Sequence, residues 1–283
     1  KILNRLAAKS LKIILDKIVP KYLIKTQNES ITGLNKTNRE KVVIVSLTSF
    51  SERLDTVWIV VELMFRQTYK PDRIILWLDK NIQNKTLPKR LEHQVNKGLE
   101  IRYVEDLRSH TKYFYALQEF KNDNVITVDD DCYYPLDIIQ NLIDINDKFP
   151  ASIASNRVHG IVKDSKNKIV PYRFWKHNFK PKKINSYENF LTGVGGVLYP
   201  PHVFNDTLFK KEVFMQICKY ADDVWLTMNA KKNGVKIKTN QKYNKDFISI
   251  SKTSNVRLLN YNSKSGGNDE QIDNVLKYLE IEL

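Results

Sequence analysis

The spacing of apolar residues alternates regularly between residues 41 and 149. Continuous apolar runs predict strands that are buried on both faces, and apolar residues at helical spacing predict the helices between them. We expect strands at 42–47, 73–78, 99–104 and 125–128, and helices at 54–69, 87–97, 112–120 and 135–149. This alternation predicts an α/β fold with a mostly parallel sheet flanked by helices.

The pattern is less regular after residue 150. Short strands are expected at 153, 158–162, 169–173, 235–238 and 247–250, and helices at the segment ADDVWLTMNAKK and at 268–279. Between them lie a basic aromatic stretch, RFWKHNFKPKK, and a glycine-rich stretch, LTGVGGVLYPP. The basic aromatic stretch is interpreted as a solvated face, with an anionic acceptor or lipid phosphate as the alternative ligand.

The N-terminal residues 1–27 predict a basic amphipathic helical segment that stands apart from the rest. Its apolar residues recur roughly at helical spacing, and seven basic residues accompany one acidic residue, Asp16. Pro20 is expected to end or kink the helix. Two interpretations stay open: the helix lies on an anionic membrane surface, or it packs on the domain or on another copy. Residues 28–40 are predicted to be a polar linker.

Composition narrows the possible partners. The chain of 283 residues can hold one large α/β domain, and a hydrophobic content of 42% is enough for a core. A formal net charge of +14 favours anionic partners, namely nucleic acid, an anionic membrane surface or a phosphorylated small molecule. No nucleic-acid module is recognisable, so nucleic acid is not the expected partner.

Cysteine usage and hydropathy bear on the redox compartment of the protein and on whether it spans a membrane. Cys132 and Cys218 make no CxxC pair, which argues against a thiolate zinc site and fits a reducing compartment. No uncharged apolar run reaches the length of about 18 residues that a transmembrane helix needs, so none is predicted.

Three consecutive carboxylates follow the fourth predicted strand in the sequence VITVDDD. In open parallel sheets, ligands bind beyond the carboxyl ends of the strands. Asp129 and Asp131 alternate along the chain and can face one pocket together. Their hard oxygen ligands suit Mg²⁺ or Mn²⁺, which also bind substrate phosphates. The alternative is an acidic loop that caps the next helix.

A second acidic pair, Asp222 and Asp223, opens the helix in ADDVWL. Adjacent helical residues diverge by about 100°, so only one of the two can face a substrate well. The alternative interpretation is a helix start whose acids are favoured by the helix dipole.

Three motifs in this order resemble those of GT-A glycosyltransferases, over about residues 41 to 240. They are VVIVSLTSFSER, VITVDDD and ADDVWL. The resemblance is to family 2-like bacterial enzymes that build surface polysaccharides, and it implies a GT-A, Rossmann-like fold. It implies a nucleotide-sugar-binding half, 41–134, and an acceptor-binding and catalytic half of the same domain, 135–283. Two features depart from the family: the first strand lacks the Pro-Thr-Tyr-Asn ending of the commonest subgroup, and no histidine follows His202.

The resemblance implies a metal-dependent hexosyltransferase whose donor is a nucleotide-diphosphate sugar, by default a UDP-sugar. Asp131 would bind Mn²⁺ or Mg²⁺ directly, and Asp129 would assist the metal or contact the ribose. Residues expected to contact the nucleotide or donor are Thr48, Ser49, Arg53, Lys112, Tyr113, Asp129, Asp130, Gly195 and Gly196. Asp223 would be the catalytic base of an inverting transfer, with Asp222 assisting.

The implied acceptor is a glycan or lipid-linked glycan in capsule or lipopolysaccharide synthesis. The implied location is cytoplasmic and peripheral, on the inner face of the bacterial plasma membrane. Three alternatives stay open: a retaining glycosyltransferase, a nucleotidyltransferase on a similar fold, and a basic nucleic-acid-binding protein without enzymatic activity. A nucleotidyltransferase is expected to carry a glycine-rich basic phosphate signature near the first strand, which SLTSFSER does not match.

Overall fold

A computed structural model describes residues 2–29, 33–177, 188–251 and 267–282, with the backbone alone for residues 2–9. The helices are α1 (Ile2–Lys25), α2 (Leu54–Phe65), α3 (Lys89–Asn96), α4 (Thr111–Glu119), α5 (Ile138–Lys148), α6 (Lys211–Ile217), α7 (Asp222–Lys232) and α8 (Gly267–Leu279). The strands are β1 (Val43–Thr48), β2 (Arg73–Asp79), β3 (Leu99–Val104), β4 (Asn124–Thr127), β5 (Cys132–Tyr133), β6 (Ile153–Ser155), β7 (Val158–Gly160), β8 (Lys176–His177), β9 (Asn189–Leu191), β10 (Val197–Tyr199), β11 (Ile237–Lys238) and β12 (Ile248–Ser249).

The central sheet has seven strands in the order β11-β6-β10-β4-β1-β2-β3. Strands β4, β1, β2 and β3 pair in parallel, while β10 runs antiparallel to both β4 and β6. Two small sheets, β12-β5 and β8-β7-β9, lie outside it. The protein therefore has the predicted α/β fold, a Rossmann-like and mostly parallel sheet flanked by helices.

The central strands are buried on both faces, as their continuous apolar runs predict. In β1, Val43, Val45 and Leu47 pack in the cluster that includes α2 and α5. Ile44 points to the opposite face, where it packs with Ile75 of β2 and with α4. Because helices cover both faces, the carboxyl edge of the parallel strands is the part of the sheet left for ligands.

Several sequence predictions need correction. Pro20 does not end α1, which continues to Lys25, and the last turns are held by Leu23, buried against the core. The strand predicted at 169–173 is replaced by a single bridge at Ile169 and a 3-10 turn at Tyr172–Phe174. Helix α6 and strand β10 were not predicted. The short β10 is flanked by glycine and proline, which obscure its period.

None of the helices in the described part of the chain combines the length and apolar content that a membrane-spanning segment needs.

A buried charge network joins α2 to the end of α1 and to α3. Glu62 is 2% exposed and accepts from Arg66 Nε at 3.0 Å and from Lys97 Nζ at 3.1 Å. Arg66 also donates to the carbonyl of Leu23, and Lys97 to that of Gln27. A carboxylate so far from water is stabilised only while both cations remain beside it.

We expect Glu62→Gln to lower the free energy of unfolding by about 3 kcal/mol, because two partly buried cations then lose their counter-charge. Urea unfolding followed by circular dichroism measures the change. The matched control is Glu92→Gln on the exposed face of α3, which should change stability by less than about 0.5 kcal/mol. Equal effects of the two substitutions would show that the network contributes nothing specific.

Candidate functional site

The carboxyl ends of β1 and β4 are neighbours, and this brings together two predicted segments. Ser49 and Arg53 follow β1, and the three aspartates follow β4. Asp130 is 5% exposed and accepts from Ser49 Oγ at 2.5 Å and from Arg53 NH1 at 2.5 Å. Arg53 NH1 also lies 3.4 Å from Asp131 Oδ2. The Ser49 and Arg53 side chains therefore orient the segment Asp129–Asp131, called the carboxylate loop below.

Lys112, in the first turn of α4, connects the carboxylate loop to α7. Its ammonium lies 2.6 Å from Asp129 Oδ1 and 3.0 Å from Asp222 Oδ2. The residue is 5% exposed, whereas the side chain of Asp129 remains 29% exposed. The two acidic motifs, which are more than ninety positions apart in the sequence, thus share one buried cation.

Asp223, the second residue of α7, lies beside this ion pair and contacts the glycine-rich segment. Its Oδ1 accepts a hydrogen bond of 2.8 Å from the backbone N–H of Gly193. A Cβ at position 193 would lie 2.9 Å from Lys112 Nζ and 3.1 Å from Asp223 Oδ1. A side chain at position 193 would displace the Lys112 ammonium, so glycine lets the backbone approach the charged groups this closely.

The two acids at the start of α7 have pKa values shifted in opposite directions. Burial opposes ionisation of Asp222, but the Lys112 ammonium, with smaller contributions from His110 and Ser109, outweighs it and holds the pKa of Asp222 below its ordinary value. Burial and the neighbouring Asp222 charge raise the pKa of Asp223 to about 8. Two adjacent carboxyls with pKa values moved in opposite directions can serve as one charged and one proton-accepting group.

The environment of Asp129 and Asp130, which follow β4, also disfavours their ionised forms. Burial raises the pKa of Asp130 to about 6, although Arg53 and Ser49 oppose the shift. Burial likewise raises the pKa of Asp129, against the effect of Lys112. Among the described residues, the region around Lys112, called the cleft below, contains five aspartates, at 129, 130, 131, 222 and 223, and two cations, Arg53 and Lys112. A cationic ligand would relieve this excess of negative charge.

A divalent metal fits these residues only in part. Asp129 and Asp131 offer partly exposed carboxylates, the donor type that Mg²⁺ and Mn²⁺ prefer. Within the part of the chain that the structure describes, no group of three or more histidine, cysteine or acidic residues is placed to hold a metal. A metal held here would therefore take its remaining ligands from water and from substrate phosphates.

The other predicted contact residues are packed among protein groups. Tyr113 is fully buried, and its hydroxyl is hydrogen-bonded to His110 Nδ1 at 2.9 Å, so its contact with a ligand stays a prediction. Gly195 and Gly196 are also packed: a Cβ at 195 would meet Arg157 Cβ at 2.8 Å, and Gly196 has a positive φ of 84°. The donor contact of Gly195 and Gly196 stays a prediction, and Gly193, which was not predicted, lies beside the charged groups. Thr48 is half-buried, and its hydroxyl donates to the carbonyl of Trp77 at 3.0 Å.

Two tyrosines of the motif DDDCYYP have roles that the sequence prediction missed. The Tyr134 hydroxyl accepts from the backbone N–H of Asp129 at 2.9 Å and so fixes the start of the carboxylate loop. Tyr133 donates to Asp16 Oδ1 of α1 at 2.8 Å. For Tyr134 a signal was present in the sequence, since a tyrosine a few residues after three acids can bond them or their backbone, whereas no signal pointed to Asp16 as the partner of Tyr133.

Comparisons with known proteins gave matches only among solved structures, since no family model and no curated protein matches the chain. A 4-diphosphocytidyl-2C-methyl-D-erythritol synthase is 9% identical with a TM-score of 0.41, over 74% of this chain and 93% of that chain. A CMP:2-keto-3-deoxy-manno-octonic acid synthetase in complex with CTP is 12% identical with a TM-score of 0.44, over 71% and 89%. Similarity at this level assigns no activity to this chain.

We expect Lys112→Met to destabilise the protein by roughly 3–5 kcal/mol near neutral pH, because it leaves buried carboxylates without their cation. In wild type, the lowered pKa of Asp222 contributes stability that is present at neutral pH and is lost on acidification. The variant lacks that contribution, and its acids take up protons at milder pH. The difference in melting temperature between wild type and Lys112→Met should therefore become smaller as the pH is lowered from about 8 to about 5.

Thermal unfolding in EDTA across this pH range measures the effect. Lys121→Met, at an exposed lysine beyond the end of α4, is the matched control and should melt like wild type at every pH. If the melting temperature of Lys112→Met is lowered by the same amount at all pH values, the stabilisation by Lys112 comes from packing of its aliphatic stem and not from its charge.

Proposed function

We propose that the protein is a glycosyltransferase that uses a nucleotide-diphosphate sugar, with a UDP-sugar as the first candidate donor. One observation carries the proposal: the carboxylate loop and the Asp222–Asp223 pair, far apart in sequence, meet at Lys112 and Gly193. Glycosyl transfer needs a place for a charged diphosphate leaving group next to a base for the acceptor. The two acidic groups supply candidates for these two functions.

In the proposed reaction, the Asp222–Asp223 pair transfers the proton, and the carboxylate loop binds the metal. Asp223, whose pKa is raised to about 8, accepts the proton of an acceptor hydroxyl. The hydroxyl oxygen forms a bond to the anomeric carbon while the bond from that carbon to the diphosphate oxygen breaks. The electron pair leaves with the nucleoside diphosphate, and the configuration at the sugar inverts. Asp222, held ionised by Lys112, supports the field around Asp223.

Asp129 and Asp131 are the proposed metal ligands, and Lys112 is the proposed contact for the donor diphosphate. A bound Mn²⁺ or Mg²⁺ would neutralise charge on the departing diphosphate. Ser49, Arg53 and Asp130 act in this proposal by holding the loop, since their side chains bond one another. The proposed acceptor is a glycan or lipid-linked glycan at the inner face of the plasma membrane.

The alternative is nucleotidyl transfer, the class of both similar structures. The two reactions leave different products, so one assay separates them. Incubation with Mn²⁺ and a panel of nucleotide sugars releases a nucleoside diphosphate if the protein transfers or hydrolyses the sugar. Incubation with a nucleoside triphosphate and a sugar phosphate releases pyrophosphate if it transfers a nucleotidyl group.

The donor site is tested by calorimetric titration of UDP, GDP, dTDP and CMP in the presence of Mn²⁺. We expect one of the three diphosphates to bind, and to bind more than about tenfold more weakly in EDTA or with Asp131→Ala, a loss of about 1.4 kcal/mol or more, whereas binding of CMP alone would contradict a diphosphate donor. Asp147→Asn, on the exposed face of α5, should bind like wild type. Binding unchanged by EDTA and by Asp131→Ala would remove the metal from the proposal, and binding of none of the four would overturn it.

We expect Asp223→Asn to lower kcat by about 100-fold or more with little change in donor affinity, because the amide cannot take the acceptor proton. Asparagine keeps the oxygen that accepts from Gly193, so folding should be preserved. In wild type, kcat should rise with pH up to about 8, where Asp223 loses its proton. Steady-state rates across pH check both points, and Asp147→Asn serves again as the control. A variant with wild-type kcat would exclude Asp223 as the base.

A further inference from the structure

Helix α1 displays a concentration of exposed apolar side chains. Nine large apolar side chains are exposed among the described residues, and five of them lie on this helix: Leu11, Ile13, Ile14, Ile18 and Tyr22. The other four are dispersed over the chain: Val95, Leu136, Phe174 and Tyr278. Single exposed apolar residues are ordinary, whereas a cluster on one element marks an interaction surface.

Four of the five form one continuous stripe. Leu11, Ile14, Ile18 and Tyr22 follow the spacing of i, i+3, i+7 and i+11, which places them on one side of a helix. Between 46% and 59% of each residue is exposed. The stripe ends in a tyrosine, whose ring and hydroxyl suit the boundary between an apolar phase and water.

A row of positive charge runs beside the stripe. Lys17, Lys21 and Lys25 are each four residues apart, so they line up along the helix, and all three are exposed. Long lysine stems can lie against an apolar surface while the ammonium groups reach toward anions.

The opposite side of α1 is used for packing. Leu23 is 2% exposed, and Val19 packs against the same core cluster. Lys12 donates to Ser249 Oγ at 3.3 Å. Asp16, the one acidic residue in the sequence of α1, accepts from Tyr133 OH and from the backbone N–H of Ser251. The only negative charge of the helix is therefore turned inward, which leaves the outward side positive and apolar.

We propose that this outward surface of α1, formed by the apolar stripe and the lysine row, binds an anionic phospholipid bilayer with the helix lying in the interface. Apolar side chains would enter the acyl boundary, and the lysines would meet the lipid phosphates. A second copy of the chain fits less well, because an antiparallel two-fold helix pair through this stripe would bring two lysine rows close together. The inference does not depend on the proposed glycosyl transfer.

The position of α1 relates this surface to the candidate site. Tyr133, which bonds Asp16, lies two residues after Asp131, and the carbonyl of Asp131 accepts from the N–H of Ile250 at 2.7 Å. Strands β5 and β12 pair at this point. A bilayer bound to the outward side of α1 would thus be separated from the segment that carries the carboxylate loop by one helix diameter, roughly 10 Å.

Flotation with lipid vesicles tests the proposal. We expect the protein to float with vesicles of phosphatidylcholine and phosphatidylglycerol at low salt, and to float poorly with phosphatidylcholine alone or at high salt. Lys17→Gln/Lys21→Gln/Lys25→Gln should weaken partitioning by roughly 100-fold, about fivefold for each lysine. Ile14→Gln/Ile18→Gln should have a similar effect through lost apolar contact.

The matched control is Lys80→Gln/Lys85→Gln/Lys89→Gln, which removes the same charge from exposed lysines after β2. It should bind like wild type, and all variants should melt like wild type because the altered side chains are exposed. An equal loss in the control would reduce the effect to net charge and overturn the proposal. So would a failure to bind anionic vesicles, or a dimer, seen by light scattering, that Ile14→Gln/Ile18→Gln abolishes.

Discussion

The ammonium of Lys112 is the interaction on which the cleft depends. It lies within 3.0 Å of carboxylates from two segments, Asp129 after β4 and Asp222 at the start of α7. Without this charge, the two segments would carry like charges into a region of low dielectric and repel each other. The close approach of Gly193 follows from the same requirement, because a larger residue would displace the ammonium. Lys112 thus fixes the distance between the two acidic groups.

The remaining charges are only partly compensated, which suits a ligand-binding site better than a purely structural one. Arg53 serves both Asp130 and Asp131, and the pKa of Asp130 still remains raised to about 6 by its burial. Asp223 accepts from the backbone of Gly193, and burial and the Asp222 charge raise its pKa to about 8 although Lys112 opposes the shift. Such groups reduce the stability of the folded chain, and folded proteins tolerate such costs most often at functional sites.

The sequence predicts most of the first half, because buried parallel strands appear as continuous apolar runs. The sequence predicts less where tertiary contacts determine which way a side chain points or whether a short segment forms a strand. Lys112 and Tyr113 are adjacent in α4, and no pattern shows that the lysine faces the cleft while the tyrosine enters the core. The antiparallel strand β10 has three residues between a glycine and a proline, too short for a recognisable period. Long-range partners such as Tyr133 and Asp16 are likewise invisible in a single sequence.

The contact between Tyr133 and Asp16 gives α1 a second function besides its packing on the core. A helix attached only through apolar residues could adjust its angle with little cost, whereas a partly buried hydrogen bond such as that of Asp16 is directional. Asp16 accepts from Tyr133 OH and from the N–H of Ser251, on the two segments that pair as β5 and β12. The orientation of α1 is therefore linked to the same backbone that presents Asp131. If α1 binds lipid and the cleft binds a lipid-linked acceptor, this short connection sets the height of the cleft above the bilayer.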